Sequence, residues 1–278
     1  MTEKKIFVFD SGVGGLPYLE ALRSRIPQIP CHYAADREGF PYGRKSREEV
    51  RSLVLDRVGR IAERFAPRLV VLACNTASQV ALDAVRERFP HISFVGTVPA
   101  VKPAAHSTCT GTIAVLSTDR AAVDPYLDAL VDRWARDVRV LRVGAQSLVE
   151  FVEQDFLDAS EQERLAACRN ALQPILGQGA DRIVLACTHF LHVSDYISRV
   201  AEPGVRVVDS REGVARRAAG ILLEPSCTAA CLNASSPAPG GNHPEASWGG
   251  FYATGDPNSW IGLKRFAERY ELSFEGAL

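Results

Sequence analysis

The chain carries almost no net charge: 32 Lys and Arg stand against 33 Asp and Glu, a formal −1 at pH 7. Without a one-sided field it has no general means of holding nucleic acid or an anionic membrane, although local anion sites remain open to it. No apolar run reaches the roughly 18 to 20 residues that span a bilayer. The N-terminus runs from Met1 through Lys5 straight into a strand-like segment, without a signal-peptide core. A cytoplasmic protein is expected. Seven cysteines, an odd number in a chain of 278 residues, argue against a disulfide framework. The close pairs, Cys227 with Cys231 and Cys187 with His189, lack structural zinc spacing, so no metal is expected. Neither a Gly-x-Gly-x-x-Gly fingerprint nor a P-loop is present. Lysine is scarce, with residues only at 4, 5, 45, 102 and 264.

Against these absences stands one string written twice. Val-Val-Leu-Ala-Cys74-Asn75-Thr76 and Ile-Val-Leu-Ala-Cys187-Thr188-His189 each end an apolar, β-branched run at a thiol followed by small polar residues. Such a run fits a buried parallel strand that opens into a site. The repeat extends upstream. Ile-Phe-Val-Phe-Asp10-Ser11 and Thr-Ile-Ala-Val-Leu-Ser117-Thr118 also end strand-like runs in small polar residues, at similar offsets from the two cysteines. Cys31, Cys109, Cys168, Cys227 and Cys231 have no such setting and read as core or loop thiols.

Strand-like segments alternate with amphipathic ones throughout, the pattern of an α/β protein with parallel sheets. Strands are predicted at 6–9, 31–34, 69–72, 93–96, 112–116, 138–143, 182–185 and 205–208. Helices are predicted at 16–25, 46–65, 76–89, 124–135, 160–177 and 211–222. Ser46 with Glu49 and Ser160 with Glu163 form capping-box pairs. Two pseudo-symmetric domains follow: 1–98 with 209–278, and 99–208, divided near Pro99 and Pro103. The Pro-, Gly- and Ser-rich stretch 224–250 reads as a flexible loop. A short strand at 251–254 and a helix at 259–270 return to the first domain. In open parallel sheets ligands bind at the carboxyl ends of the strands, which puts the site in the interdomain cleft.

Asp10-Ser11-Gly12-Val13-Gly14-Gly15 is a glycine-rich turn whose amides can face an anion. Each repeated thiol is expected at a helix N-terminus, where its pKa can fall. Two opposed thiols suit proton transfer to and from one carbon on both faces. A cysteine hydrolase would use one thiol and leave the second without a task. A Schiff-base cofactor needs a placed lysine, and none flanks either motif, so a cofactor-free route is expected. Asp10 and Asp36 follow the first two strands and can orient or deprotonate Cys74; Glu153 and His189 can serve Cys187.

These motifs, with Pro41-Tyr42-Gly43, Val98-Pro99-Ala100-Val101-Lys102-Pro103, Val-Asp209-Ser210 and Phe251-Tyr252-Ala253-Thr254-Gly-Asp, resemble glutamate racemase of the cofactor-independent aspartate/glutamate racemase superfamily. The resemblance spans nearly the whole chain. It implies interconversion of L- and D-glutamate to supply D-glutamate for peptidoglycan, with Cys74 acting on the D-enantiomer and Cys187 on the L-enantiomer. It implies substrate contacts from Asp10, Ser11, Tyr42, Gly43, Asn75, Thr76, Thr118, Thr188 and His189, with Asp36 and Glu153 assisting the thiols. The partner implied is the small-molecule substrate, with no nucleic acid and no membrane; assembly as a homodimer is compatible with the sequence.

The chain departs from the family pattern at Ala121, Ala186, Phe190-Leu191-His192 and Ala145 to Glu150. These positions bear on the pocket for the side-chain carboxylate and so on substrate length. Aspartate racemase, another two-cysteine racemase or epimerase, and a non-catalytic binding protein of the same fold are the alternatives.

Overall fold

The computed structural model describes residues 5–201, 203–223 and 249–278. The described strands are β1 (Ile6–Asp10), β2 (Cys31–Ala35), β3 (Leu69–Leu72), β4 (Ser93–Gly96), β5 (Thr112–Ser117), β6 (Arg139–Gly144), β7 (Arg182–Leu185), β8 (Arg206–Val208), β9 (Gly250–Ala253) and β10 (Ser273–Ala277). The helices are α1 (Leu16–Arg25), α2 (Arg47–Phe65), α3 (Asn75–Arg88), α4 (Val101–Ser107), α5 (Asp119–Ala122), α6 (Pro125–Trp134), α7 (Gln146–Gln154), α8 (Glu161–Leu172), α9 (Ser194–Val200), α10 (Arg211–Leu223) and α11 (Ile261–Arg269).

The strands form two sheets, ordered β10-β9-β2-β1-β3-β4 and β6-β5-β7-β8, with every pair parallel. The order β2-β1-β3-β4 is repeated as β6-β5-β7-β8, so β1 corresponds to β5 and β3 to β7. The duplicated cysteine string therefore occupies the same topological position in both sheets. β9 and β10 extend the first sheet only.

Side chains alternate across each strand. Ile6 and Val8 join one apolar cluster that runs through both halves to Leu116, Leu148, Leu185 and Ala218. Phe7 and Phe9 face the other way, onto Val54, Val58 and Val85 of α2 and α3. On the second sheet Ile113, Val115 and Val184 take the outer face, against Val101 and Leu127 of α4 and α6. β1, β3, β5 and β7 are buried along their whole length, as apolar runs between two helix layers must be.

Both capping boxes are formed: Ser46 accepts from Glu49 N and Ser160 from Glu163 N, with each glutamate reaching back. The helix expected over 160–177 ends at Leu172, and Gly177 and Gly179 beyond it hold left-handed φ of 72° and 79°. The stretch at Pro99 to Pro103 is a helix start rather than a bare connection. Pro103 sits in the first turn of α4, where an N–H would have no intrahelical partner in any case. None of α5, α7, α9 and β10 is predicted from the sequence. All but the last two residues of the loop read at 224–250, with Cys227 and Cys231, lie outside the described residues. Among the described residues no helix is long and apolar enough to cross a membrane.

Candidate active site

The carboxyl ends of β1, β3, β5 and β7 meet at one narrow cleft between the sheets. Ser11, Tyr42, Gly43, Cys74, Asn75 and Thr76 line it from the first half; Thr118, Cys187, Thr188 and His189 line it from the second. Both thiols reach this cleft, and both are more than nine-tenths buried.

Their settings differ. Cys74 is the residue before α3 and Ser11 Oγ lies 3.9 Å from its sulfur. Ser11 in turn lies 3.5 Å from Asp10 Oδ1. Contrary to the expectation from helix position, burial and then the Asp10 charge push the Cys74 thiol well up from its ordinary value, despite the amide of Ala77. Cys74 is a thiol at neutral pH. Cys187 is followed by a tight turn over Thr188–Val193 before α9, not directly by an α-helix. Its sulfur lies 3.7 Å from His189 Nδ1, and His189 Nε2 lies 2.7 Å from Glu153 Oε1. Burial alone would lower the His189 pKa, but the hydrogen bonds and charges of Cys187 and Glu153 raise it well above the ordinary value. Glu153 responds oppositely: burial would raise it, and the His189 contact, Val13 N and Arg37 hold it below the usual carboxylate value. His189 is thus a protonated imidazolium between a sulfur and a carboxylate.

The glycine-rich turn does face an anion, and that anion belongs to the chain. Val13 N donates to Glu153 Oε1 at 2.8 Å, Gly12 N donates to Asp10 Oδ1 at 2.7 Å, and Gly15 N donates to Tyr33 Oη at 3.1 Å. Close approach requires glycine here. A Cβ on Gly12 would fall 2.0 Å from Glu153 Oε1, and one on Gly14 would fall 2.4 Å from Thr188 Oγ1 and 2.7 Å from His189 Nδ1. His192 Nε2 donates to Val13 O at 2.9 Å, and Tyr270 Oη completes the chain at 3.2 Å from His192 Nδ1. With Nε2–H committed to a carbonyl, Nδ1 is the acceptor and His192 is neutral; burial lowers its pKa to about 3.

Asp10 is fully buried and ties the halves together, since Thr188 Oγ1 donates to its Oδ2 at 3.0 Å. Burial raises its pKa to about 6, moderated by His189, Gly12 N and Thr188. Asp36 is placed differently from the expectation that it would orient or deprotonate Cys74. Its oxygens accept from Arg57 Nε, Thr254 Oγ1, Tyr42 Oη and Gly39 N, and it does not line the cleft. Buried beside a guanidinium, it positions Tyr42 and stands one residue back from the cleft. Phe40, Ala121, Gln146, Val149 and Ala186 also line the cleft and were not singled out as site residues. Ala121, Gln146, Val149 and Ala186 fall in segments noted only as departures from the family pattern. Among the described residues no cluster of three His, Cys, Asp or Glu could hold a metal ion.

Two thiols thus face one cleft from equivalent strands, each beside its own set of acid–base side chains. The Asp/Glu/hydantoin racemase family model matches residues 18–218, and the chain belongs to that family. Among proteins it resembles, the glutamate racemase of Sphingopyxis alaskensis is 45% identical over 217 residues, covering 77% of this chain and 80% of that protein. The glutamate racemase of Klebsiella pneumoniae is 40% identical over 78% of this chain and 76% of its own length. The crystal structure of Escherichia coli glutamate racemase, in complex with L-glutamate and the activator UDP-MurNAc-ala, superposes with TM-score 0.84 at 32% identity, covering 99% of this chain and 97% of that one.

Proposed function

We propose that this protein is a glutamate racemase that inverts Cα by a two-thiol, cofactor-independent route, and that its D-glutamate supplies peptidoglycan synthesis in the cytoplasm. The observation that carries the reading is the pairing of Cys74 with Ser11 and Asp10, and of Cys187 with His189 and Glu153, on one cleft. Family membership, and relatives at 45% and 40% identity that are glutamate racemases, support glutamate over other acids.

In this reading the halves 1–98 with 209–278 and 99–208 enclose glutamate, with Cα between the sulfurs. From L-glutamate, Cys187 removes the Cα proton, helped by His189 and Glu153; Cys74, a thiol at neutral pH, delivers its own proton to the opposite face. From D-glutamate, Cys74 is the base, its own proton having passed through Ser11 to Asp10, ionised above about pH 6, and Cys187, resupplied by the His189 imidazolium, delivers a proton to the opposite face. Each direction leaves the enzyme ready for the other. Asn75, Thr76, Thr118, Thr188, Tyr42 and Gly43 hold the substrate; none of the described lysines lines the cleft, so no residue is placed to form a Schiff base.

The test is incubation with L-glutamate and L-aspartate in deuterated water without added cofactor. Deuterium enters Cα of glutamate with loss of optical rotation; exchange of aspartate alone would instead support an aspartate racemase. Exchange of neither would support the binding-protein reading. Assembly as a homodimer is read by light scattering of the same sample.

A further inference from the structure

Of the side chains that line the cleft, two carry a fully buried polar atom with no hydrogen-bond partner among the described residues: Asn75 Oδ1 and Gln146 Nε2. A buried donor left unpaired costs about 1 to 3 kcal/mol. Such an atom is retained where something else completes it. Asn75, directly after Cys74, is an acceptor suited to a substrate ammonium. Gln146 is a donor, and its place in the sheet says which end of the substrate it meets.

Cys187 follows β7, Thr118 follows β5 and Gln146 follows β6, in a sheet ordered β6-β5-β7-β8. Gln146 therefore lies two strand spacings from the Cys187 strand, about 9 to 10 Å along the sheet. It lines the cleft on the β6 side, away from the Cys187 strand. The first residue of α7, it is fixed by its own backbone N–H, which donates to Asp119 Oδ1 at 3.2 Å. Asp119 itself begins α5, the short helix capped by Thr118, so Thr118 and Gln146 are held as one unit. Opposite them a Cβ on Gly43 would lie 3.5 Å from Thr118, which closes the cleft at that end. Ala121 offers only a methyl to the same wall.

We propose that Gln146 Nε2 donates a hydrogen bond to the distal carboxylate of glutamate and so sets the substrate length the cleft accepts. The proposal rests on the glutamate racemase reading and adds to it the group that distinguishes a five-carbon from a four-carbon diacid. Aspartate, one methylene shorter, leaves this donor unpaired when its Cα is held between the thiols.

The experiment measures KM and kcat for L-glutamate, and the inhibition constant of L-aspartate, in wild type, Gln146→Leu and Gln146→Ala. Loss of a hydrogen bond to a charged group raises the glutamate KM about ten- to hundredfold. The kcat stays within about threefold, and the aspartate constant moves by less than about twofold. Thermal melting of each variant checks folding, and Gln146→Ala supplies the comparison should the leucine disturb α7. A glutamate KM within twofold of wild type in both folded variants overturns the proposal. So does an equal rise for glutamate and aspartate, which reports general loss of cleft shape. If wild type fails to racemise glutamate, the enzymatic reading falls; glutamate binding by calorimetry then reads the Gln146 contact separately.

Discussion

Glu153 Oε1 lies 2.7 Å from His189 Nε2, and the same oxygen accepts Val13 N at 2.8 Å. One atom of the second half thus holds the imidazolium beside Cys187 and the glycine-rich turn of the first half. Glu153→Gln preserves size but removes the carboxylate that, together with Cys187, favours protonated His189. Racemisation is expected to fall about 10²- to 10⁴-fold, the range for loss of a positioned acid–base group. Because L and D forms are equally stable, kcat/KM must fall equally in both directions; a one-direction assay cannot separate the roles. The separate readout is Cα deuterium exchange without inversion, expected to slow more from L-glutamate than from D-glutamate.

Asp10 gives two pH effects of opposite value to the protein. Its carboxyl titrates near 6 in the fold against 3.8 unfolded, so the native state binds the extra proton between those values. Its contribution to stability is fully present below pH 3.8 and is lost as pH rises through about 6, amounting to about 3 kcal/mol. Asp10→Asn is expected to melt higher than wild type at pH 8 and alike at pH 4. Activity runs the other way, since only ionised Asp10 can take the Cys74 proton. Racemisation kcat/KM should fall in both directions as pH drops through about 6, and Asp10→Asn should lack that limb.

His192 acts in the opposite sense on stability. Its folded pKa of about 3 lies below the ordinary 6.5, so its contribution is present above pH 6.5 and is lost as pH falls toward 3. Protonation would cancel its acceptance from Tyr270 and leave a buried charge whose one good partner is Val13 O. His192→Gln should flatten the melting temperature between pH 6.5 and 4; an unchanged acid slope would show that the histidine is not the titrating group.

Two glycines on the same cleft should respond differently to a methyl. Gly14→Ala places a Cβ 2.4 Å from Thr188 Oγ1, which must displace the Cys187 turn, so activity should fall at least about a hundredfold. Gly43→Ala meets Thr118 at an ordinary 3.5 Å and should fold normally, with a raised glutamate KM as its main effect. Equal loss in both would contradict the packing described.

Most of the fold is legible because apolar runs bounded by polar strand ends read directly as buried parallel strands. The cysteine repeat reads as two halves of the same topology, and the strand order β2-β1-β3-β4 recurs as β6-β5-β7-β8. α7, about two and a half turns long, carries Gln146 and Glu153; the sequence marks Glu153 as a partner for Cys187 without placing it on a helix. β10 escaped because its Gly276 and Glu275 suit a sheet edge and carry no apolar run. The setting of Asp36 depends on Arg57 and Thr254, which lie 21 and 218 positions away and share no local pattern with it. The upward shift of Cys74 is likewise a matter of burial, which a helix start in the sequence does not convey.

The decisive measurement is on the two thiols one at a time: racemisation of both glutamate enantiomers, and hydrogen-halide elimination from both enantiomers of β-chloroglutamate, by Cys74→Ser and Cys187→Ser. Elimination needs one base, whereas racemisation needs a base and an opposed acid. Each variant should lose racemisation by about 10²-fold or more, with Cys74→Ser eliminating only from the L-enantiomer and Cys187→Ser only from the D-enantiomer. Near wild-type racemisation by either variant, or elimination from both enantiomers by one of them, would contradict two bases on opposite faces of Cα.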